Sequence, residues 1–127
     1  MKIVVGTEDG KNIAKSHFGM SKVFVIYQID NEKIISKKEL ANPIVASHKH
    51  AEAKGILSFL GGNDIFIGKA MGRESVPSLL KKGIKPILTQ LTVADEAVEE
   101  YIVNGESNFM VFDLTKEKFI KKTGGSK

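Results

Sequence analysis

The chain has 127 residues, of which 42% are hydrophobic and 27% charged, and its formal net charge is +4. This length fits one domain with a real core, and this composition is too apolar for a disordered chain. The longest apolar run, at 23–27, is far shorter than the ~20 residues that cross a bilayer, and no secretory leader is visible. We therefore predict a cytoplasmic protein that does not associate with membranes.

The chain contains no cysteine, which excludes disulfides, cysteine nucleophiles and thiolate metal sites and fits a reducing compartment. A metal held by side chains must then use carboxylate, methionine or the three histidines His17, His48 and His50. The positive charge is mostly lysine, and Arg73 is the single arginine. A solvated lysine surface is favoured over a nucleic-acid site, whose lysines are usually interleaved with arginine and aromatic residues. The charge still favours anionic ligands.

The first half of the chain reads as strands separated by polar loops. Residues 2–6 predict a buried strand that ends at the turn-forming TEDG. Residues 23–30 and 33–40 predict a tight antiparallel hairpin, because Asp30 and Asn31 between them are strong turn formers. The segment that follows, 41–49, is predicted to be an open loop.

The second half alternates short apolar runs with helical periodicity. Apolar residues at i, i+3, i+4 and i+7 predict a helix over 53–60 that two glycines stop. Short strands are predicted at 64–68 and 85–88, with a helix that starts near Val76 between them and ends at Gly83.

The last helix of this region has the clearest pattern. Thr92 and Asp95 form a capping-box-like start, and Asn104 and Gly105 end the helix. The resulting order, β-β-β-α-β-α-β-α, predicts an α/β fold with a mixed sheet, largely parallel with one antiparallel strand.

The residues after this helix predict a separate C-terminal extension. Two strand-like runs at 109–114 and 118–122 are typical of a hairpin, and the final residues are typical of a frayed end. We predict a domain at 1–105 and a hairpin-like extension with a flexible tail at 106–127.

Two loops carry the histidines. Ligands of open α/β sheets gather at loops after the carboxyl ends of the strands. In SHFG at 16–19, His17 offers a neutral imidazole where backbone can approach a ligand closely; alternatively it bonds only its own loop. In SHKH at 47–50, His48 and His50 share a face if the segment is extended; alternatively this is a solvated loop with His50 as a helix cap.

A glycine-bracketed turn, GKAMG at 68–72, resembles a phosphate cradle in outline, but neither common nucleotide-binding glycine motif is present. Lys69 and Arg73 could neutralise an anion, and Met71 could pack on it. The acidic pair Glu8 and Asp9 is too small a set for a two-metal nuclease, and no serine-nucleophile motif occurs. We predict a binding protein without catalytic residues rather than an enzyme.

In their order along the chain, these segments resemble the dinitrogenase iron–molybdenum cofactor biosynthesis family. The resemblance rests on MKIVVGTEDG, SHFG and VFVIYQID, then on DIFIGKAMGRESVPSLLKKGIKPIL and TVADEAVEEYIVNG, and runs from Met1 to about Gly105. It implies a ribonuclease-H-like three-layer α/β/α fold with a five-stranded mixed sheet. Some family members carry cysteine near the cluster, whereas this chain would have to use histidine and backbone.

The resemblance also implies a function in cofactor biosynthesis or delivery. The chain would be a small carrier for the iron–molybdenum cofactor or an iron–sulfur precursor cluster, with a cluster-donor or acceptor protein as a partner, and we expect a monomer. The resemblance puts ligand contact at His17 and extends it to His48 and His50. With the residues singled out above, the predicted cofactor-binding set is His17, Phe18, Gly19, Lys69, Met71 and Arg73, and the predicted metal ligands are His17, His48 and His50.

An alternative function stays open. The chain could be a regulatory or adaptor module that binds a phosphate-bearing small molecule or a protein partner. The glycine-rich segment GKAMGR would then make the contact, and the histidines would be incidental.

Overall fold

The computed structural model describes residues 1–46 and 53–121. Its strands are β1 (Lys2–Thr7), β2 (Val23–Asp30), β3 (Lys33–Ala41), β4 (Ile65–Gly68), β5 (Lys85–Leu88), β6 (Met110–Asp113) and β7 (Lys118–Lys121). Its helices are α1 (Pro43–Ala46), α2 (Ala53–Leu60), α3 (Val76–Lys81) and α4 (Ala94–Asn104), and a 3-10 helix spans Phe18–Met20. No helix among these residues combines the length and apolarity needed to span a bilayer.

The described strands form one mixed sheet in the order β3-β2-β1-β4-β5-β6-β7. The central strand β1 is buried along almost its whole length, and so is its parallel neighbour β4. Strands covered on both faces carry continuous apolar runs instead of alternating ones, which explains why KIVVG and IFIG show no period of two. The predicted positions of the described strands and of α2, α3 and α4 are confirmed to within one or two residues.

The predicted five-stranded sheet is wrong, because the sheet among the described residues has seven strands. The C-terminal hairpin β6–β7 pairs antiparallel with β5, where Ile87 faces Val111 and Leu88 faces Met110. Its pairing satisfies the backbone of β5, which would otherwise be an exposed edge. The sheet is also less parallel than predicted, since only β1–β4 and β4–β5 are parallel among the described pairings.

Helices cover both faces of the sheet and give it three layers. On one face, α4 buries Ala94, Ala97 and Val98 against the inward side chains of the strands. On the other face, the 3-10 helix, α2 and α3 pack on a second cluster, whose buried members are Val4, Phe18, Phe24, Leu60, Phe66, Leu79 and Ile84. Residues of opposite parity along β1 therefore belong to different cores, as the pleat requires.

Two local predictions differ from the structure. Residues 43–46 form the short helix α1 instead of an open loop, because the Asn42 side chain accepts a hydrogen bond from the Ile44 N–H at 3.0 Å and Pro43 suits a first helical turn. The predicted capping box is also wrong. Helix α4 starts after Val93 without a side-chain cap, because the Asp95 carboxylate is bound elsewhere.

Asp95 joins three elements of the fold. The buried Tyr27 hydroxyl of β2 donates to its carboxylate at 2.6 Å, and the Lys37 ammonium of β3 lies 2.8 Å from it. The hydrogen bonds from Lys37 and then Tyr27 lower the pKa of Asp95, while burial, followed by the hydrogen bond to Asp95, raises the pKa of Tyr27 above its usual range. Tyr27 thus stays neutral and donates to an ionised carboxylate.

We expect Tyr27→Phe to cost about 1.5–3 kcal/mol of unfolding free energy at pH 7, the usual contribution of a hydrogen bond to a charged group. Because the folded pKa of Asp95 is depressed, this stabilisation is present above the unfolded pKa of about 3.9 and is lost as the pH falls through the folded value. Urea titrations at pH 7 and pH 3 measure both effects. A difference between wild type and variant that is the same at both pH values would contradict this assignment.

The C-terminal hairpin is held by core packing as well as by strand pairing. Phe109, just before β6, is only 1% exposed and belongs to the core under α4. Its ring meets the edge of Tyr101 of α4 at 6.0 Å between centroids. The hairpin is therefore an integral part of the folded core.

We expect Phe109→Ala to lower the unfolding free energy by about 3–5 kcal/mol, as for other buried phenylalanines. Phe112→Ala is the matched control in the same hairpin, because Phe112 is half-buried and its ring contacts that of Phe119 of β7. Chemical denaturation of both variants decides the point. Equal losses would show that the hairpin is peripheral to the core.

Candidate functional site

The carboxyl ends of β1, β4 and β5 lie at the same end of the sheet. We call this end, together with the loops that follow the three strands, the rim. Gly68 of β4 faces Leu88 of β5, Leu88 faces Met110 of β6, and Met110 faces Lys121 of β7. Rim positions therefore continue across the sheet into the C-terminal hairpin. The ordinary ligand-binding end of an α/β sheet is thus larger here than the parallel strands alone.

The loop between β1 and β2 begins with a turn built on Asp9. Its carboxylate accepts hydrogen bonds from the backbone N–H groups of Asn12 at 2.7 Å and Lys11 at 2.9 Å, and from the Asn12 side chain. These bonds, the Asn12 N–H first, lower the pKa of Asp9 to about 2. Glu8 next to it lies 3.7 Å from the Lys22 ammonium. The acidic pair therefore organises its own loop.

Phe18 anchors the SHFG segment to the core. Its ring is 4% exposed, stacks on Phe66 at 4.6 Å and lies 5.1 Å from Phe24. The ring fits because Gly6 and Gly68 below it have no side chain: a Cβ on them would come within 3.2 Å and 3.3 Å of Phe18. Phe18, predicted to contact the ligand, thus has its ring in the core and positions its neighbour His17.

His17 is exposed at the rim and lies against the loop after β4. Its segment forms a parallel bridge with Ala70, and the N–H of Phe18 donates to the Ala70 carbonyl at 2.8 Å. A methyl group added to Gly72 would lie 3.8 Å from Nδ1 of His17. The structure therefore brings together the SHFG and GKAMG segments, which are about 50 residues apart in the sequence.

Asn42 fixes the other side of the SHFG loop and was not singled out from the sequence. It is 1% exposed, and its amide donates to the carbonyls of Gly19 at 2.9 Å and Ser21 at 2.8 Å. The Gly19 backbone is thus engaged by the protein itself. The only sequence signal for Asn42 is its place before Pro43, which does not reveal a partner some 20 residues away.

The other predicted residues surround His17 at different depths. Met71 is half-buried and packs against the second core cluster, whereas Arg73 is exposed and Lys69 half-buried. Within residues 1–46 and 53–121, neither Lys69 nor Arg73 forms an ion pair. These two cations are therefore available to an anion at the rim.

A metal centre is not assembled by the described residues alone. Among them, no group of three or more histidine, aspartate or glutamate side chains is placed to hold a metal ion. His48 and His50, the other predicted metal ligands, lie outside the described residues. The prediction that they join His17 stays a prediction.

The architecture is that of a small mixed α/β protein with polar loops gathered at one rim. The chain belongs to the family described as "Dinitrogenase iron-molybdenum cofactor", which matches residues 1–104. This confirms the family resemblance, and it leaves β6 and β7 outside the matched region.

Solved structures share this fold. The protein PH0822 aligns with a TM-score of 0.70 at 21% identity, over 93% of this chain and all (100%) of that one. A candidate dinitrogenase from Methanocaldococcus jannaschii aligns with a TM-score of 0.64 at 22% identity, over 83% of this chain and 90% of that one. The apo form of the orange protein from Desulfovibrio gigas aligns with a TM-score of 0.61 at 19% identity, over 82% and 88%. No curated protein matches the chain.

The close approach of Gly6 to Ser21 provides a test of the loop's anchoring. A Cβ on Gly6 would lie 2.2 Å from the Ser21 hydroxyl, which is buried without a hydrogen-bond partner among the described residues. We expect Gly6→Ala to cost about 1–3 kcal/mol through overpacking, and Ser21→Gly to recover part of this loss in the double variant. Thermal or urea unfolding measures both.

Gly72→Ala is the matched control, because its added methyl would make only ordinary contacts. It should change stability by no more than about 0.5 kcal/mol. An additive effect of Gly6→Ala and Ser21→Gly would show that the two residues do not meet.

Proposed function

We propose that this protein carries an anionic iron–sulfur or iron–molybdenum cluster, as cargo to be handed on, and does not transform a substrate itself. The observation that supports this most is family membership over residues 1–104, because the family is named for that cofactor. The cluster would dock at the rim, where the SHFG loop lies against residues 70–72. The finer assignment to a ribonuclease-H-like fold also stays a proposal.

Charge supports an anionic cargo. The chain has a net charge of +4, and two cations without ion pairs in the described part of the chain, Lys69 and Arg73, flank the turn next to His17. A positive rim attracts an anion and raises its local concentration. Met71 lies between these two cations in the sequence and is half-buried. Its polarizable thioether is a suitable neighbour for sulfide.

Sparse ligation supports delivery instead of permanent storage. Four thiolates close a metal site completely, whereas this chain has no cysteine and would hold its cargo by His17, by backbone groups and by charge. Few and exchangeable ligands allow a cluster to leave for an acceptor protein. In this proposal His48 and His50 would add ligands, the protein would act as a cytoplasmic monomer, and a donor or acceptor protein would be its partner.

The experiment is an anaerobic titration of the purified chain with iron and sulfide, with and without molybdate, followed by absorbance after gel filtration. We expect a chromophore that co-elutes with the protein. His17→Ala should weaken retention by roughly tenfold or more, which corresponds to about 1.4 kcal/mol for the lost ligand.

Lys15→Ala is the control, because Lys15 is an exposed residue of the same loop. This variant should retain the chromophore as the wild type does. A wild-type protein that elutes without a chromophore would sink the proposal. So would equal retention by wild type and His17→Ala.

A further inference from the structure

A cleft of about 310 Å³ opens at the rim on the side of the C-terminal hairpin. Its lining comes from residues that end or follow β4 and β5, and from residues at the start of β6 and the end of β7. Its lining residues are Lys69, Leu88, Thr89, Gln90, Asn108, Phe109, Met110 and Lys121. Four of these, from Asn108 onward, lie beyond the residues that the family matches. The segment beyond the family match thus supplies half of the residues that line the cleft.

The charge of the cleft is entirely positive. Lys69 follows β4 and Lys121 ends β7, so the two lysines come from different strands of the sheet, and none of the lining residues is acidic. Neither lysine forms an ion pair within the described ranges. Two unpaired cations in one concave site favour a ligand with a compact negative group.

Polar groups beside the lysines can orient such a group. Thr89 is 5% exposed, and its backbone N–H donates a hydrogen bond to the Gly68 carbonyl at 2.9 Å. Its hydroxyl oxygen accepts from the Leu91 N–H at 3.1 Å, which leaves the hydroxyl hydrogen to donate. The Asn108 side-chain amide donates a hydrogen bond to the Glu100 carboxylate at 2.6 Å. The cleft lining therefore includes a hydroxyl and an amide whose positions are set by hydrogen bonds.

The remaining lining is apolar. Leu88 and Met110 are half-buried neighbours on adjacent strands, and buried Phe109 lies next to them in the sequence. A site that mixes such walls with a few convergent polar groups is typical of small-molecule binding, for which pocket volumes start at about 300 Å³. A bare inorganic ion would leave these apolar walls in contact with water.

We propose that this cleft binds a small molecule that carries a phosphate group on an apolar body, with the phosphate between Lys69 and Lys121 and the body against Leu88 and Met110. This site is distinct from the cluster position beside His17, although Lys69 borders both. The proposal does not rest on the cluster function, because its probes contain no metal. It gives the C-terminal hairpin a role in binding as well as in the fold.

The test uses the full chain labelled with ¹⁵N and two probes, inorganic phosphate and phenyl phosphate, at low ionic strength. We expect saturable shifts of the backbone signals of Thr89, Asn108 and Lys121, with phenyl phosphate bound more tightly than inorganic phosphate. Lys69→Gln and Lys121→Gln should each weaken phenyl phosphate binding roughly threefold to fivefold, the effect of losing one partly exposed charge contact.

Lys118→Gln is the matched control, since Lys118 is an exposed lysine at the other end of β7 and does not line the cleft. It should leave the affinity within twofold of wild type, as expected for a screened, distant charge. The proposal is overturned if phenyl phosphate does not saturate, if Lys121→Gln binds it as wild type does, or if both probes bind equally.

Discussion

The packing of one ring, Phe18, is the constraint on which the rim depends. The ring stacks on Phe66 of β4 and lies beside Phe24 of β2, so it links the SHFG loop to two strands of the central sheet. Gly6 and Gly68 leave room beneath it, since a Cβ on either would come within 3.3 Å of Phe18 and force a small shift. Protein interiors are close-packed, so even one methyl group at such a contact is felt.

Polar contacts then complete what this packing begins. The Ala70 carbonyl accepts from the N–H of Phe18, and Asn42 holds the far side of the same loop through two carbonyls. Each of these hydrogen bonds would be lost if the loop moved, and a buried backbone group without a partner is costly. His17 is therefore exposed on a loop whose position is set by buried neighbours.

The C-terminal hairpin changes both the fold and the chemistry of the rim. Pairing of β6 with β5 and burial of Phe109 make it part of the core, although the family matches only residues 1–104. The same pairing carries Met110 and Lys121 to the rim beside Leu88. A segment that adds strands at a sheet edge thereby also adds side chains to the rim.

Local pattern in the sequence was sufficient for the described strands, for α2, α3 and α4 and for the family, because apolar periodicity and turn residues act over short distances. The β2–β3 hairpin follows from its turn, where Asn31 adopts a positive φ, and α2 follows from its apolar stripe. Only the tertiary structure decided that β6 joins β5 and that Asp95 bonds Tyr27 instead of capping its helix. Both contacts join residues that are more than 20 positions apart in the sequence. Patterns among neighbouring residues therefore cannot predict them.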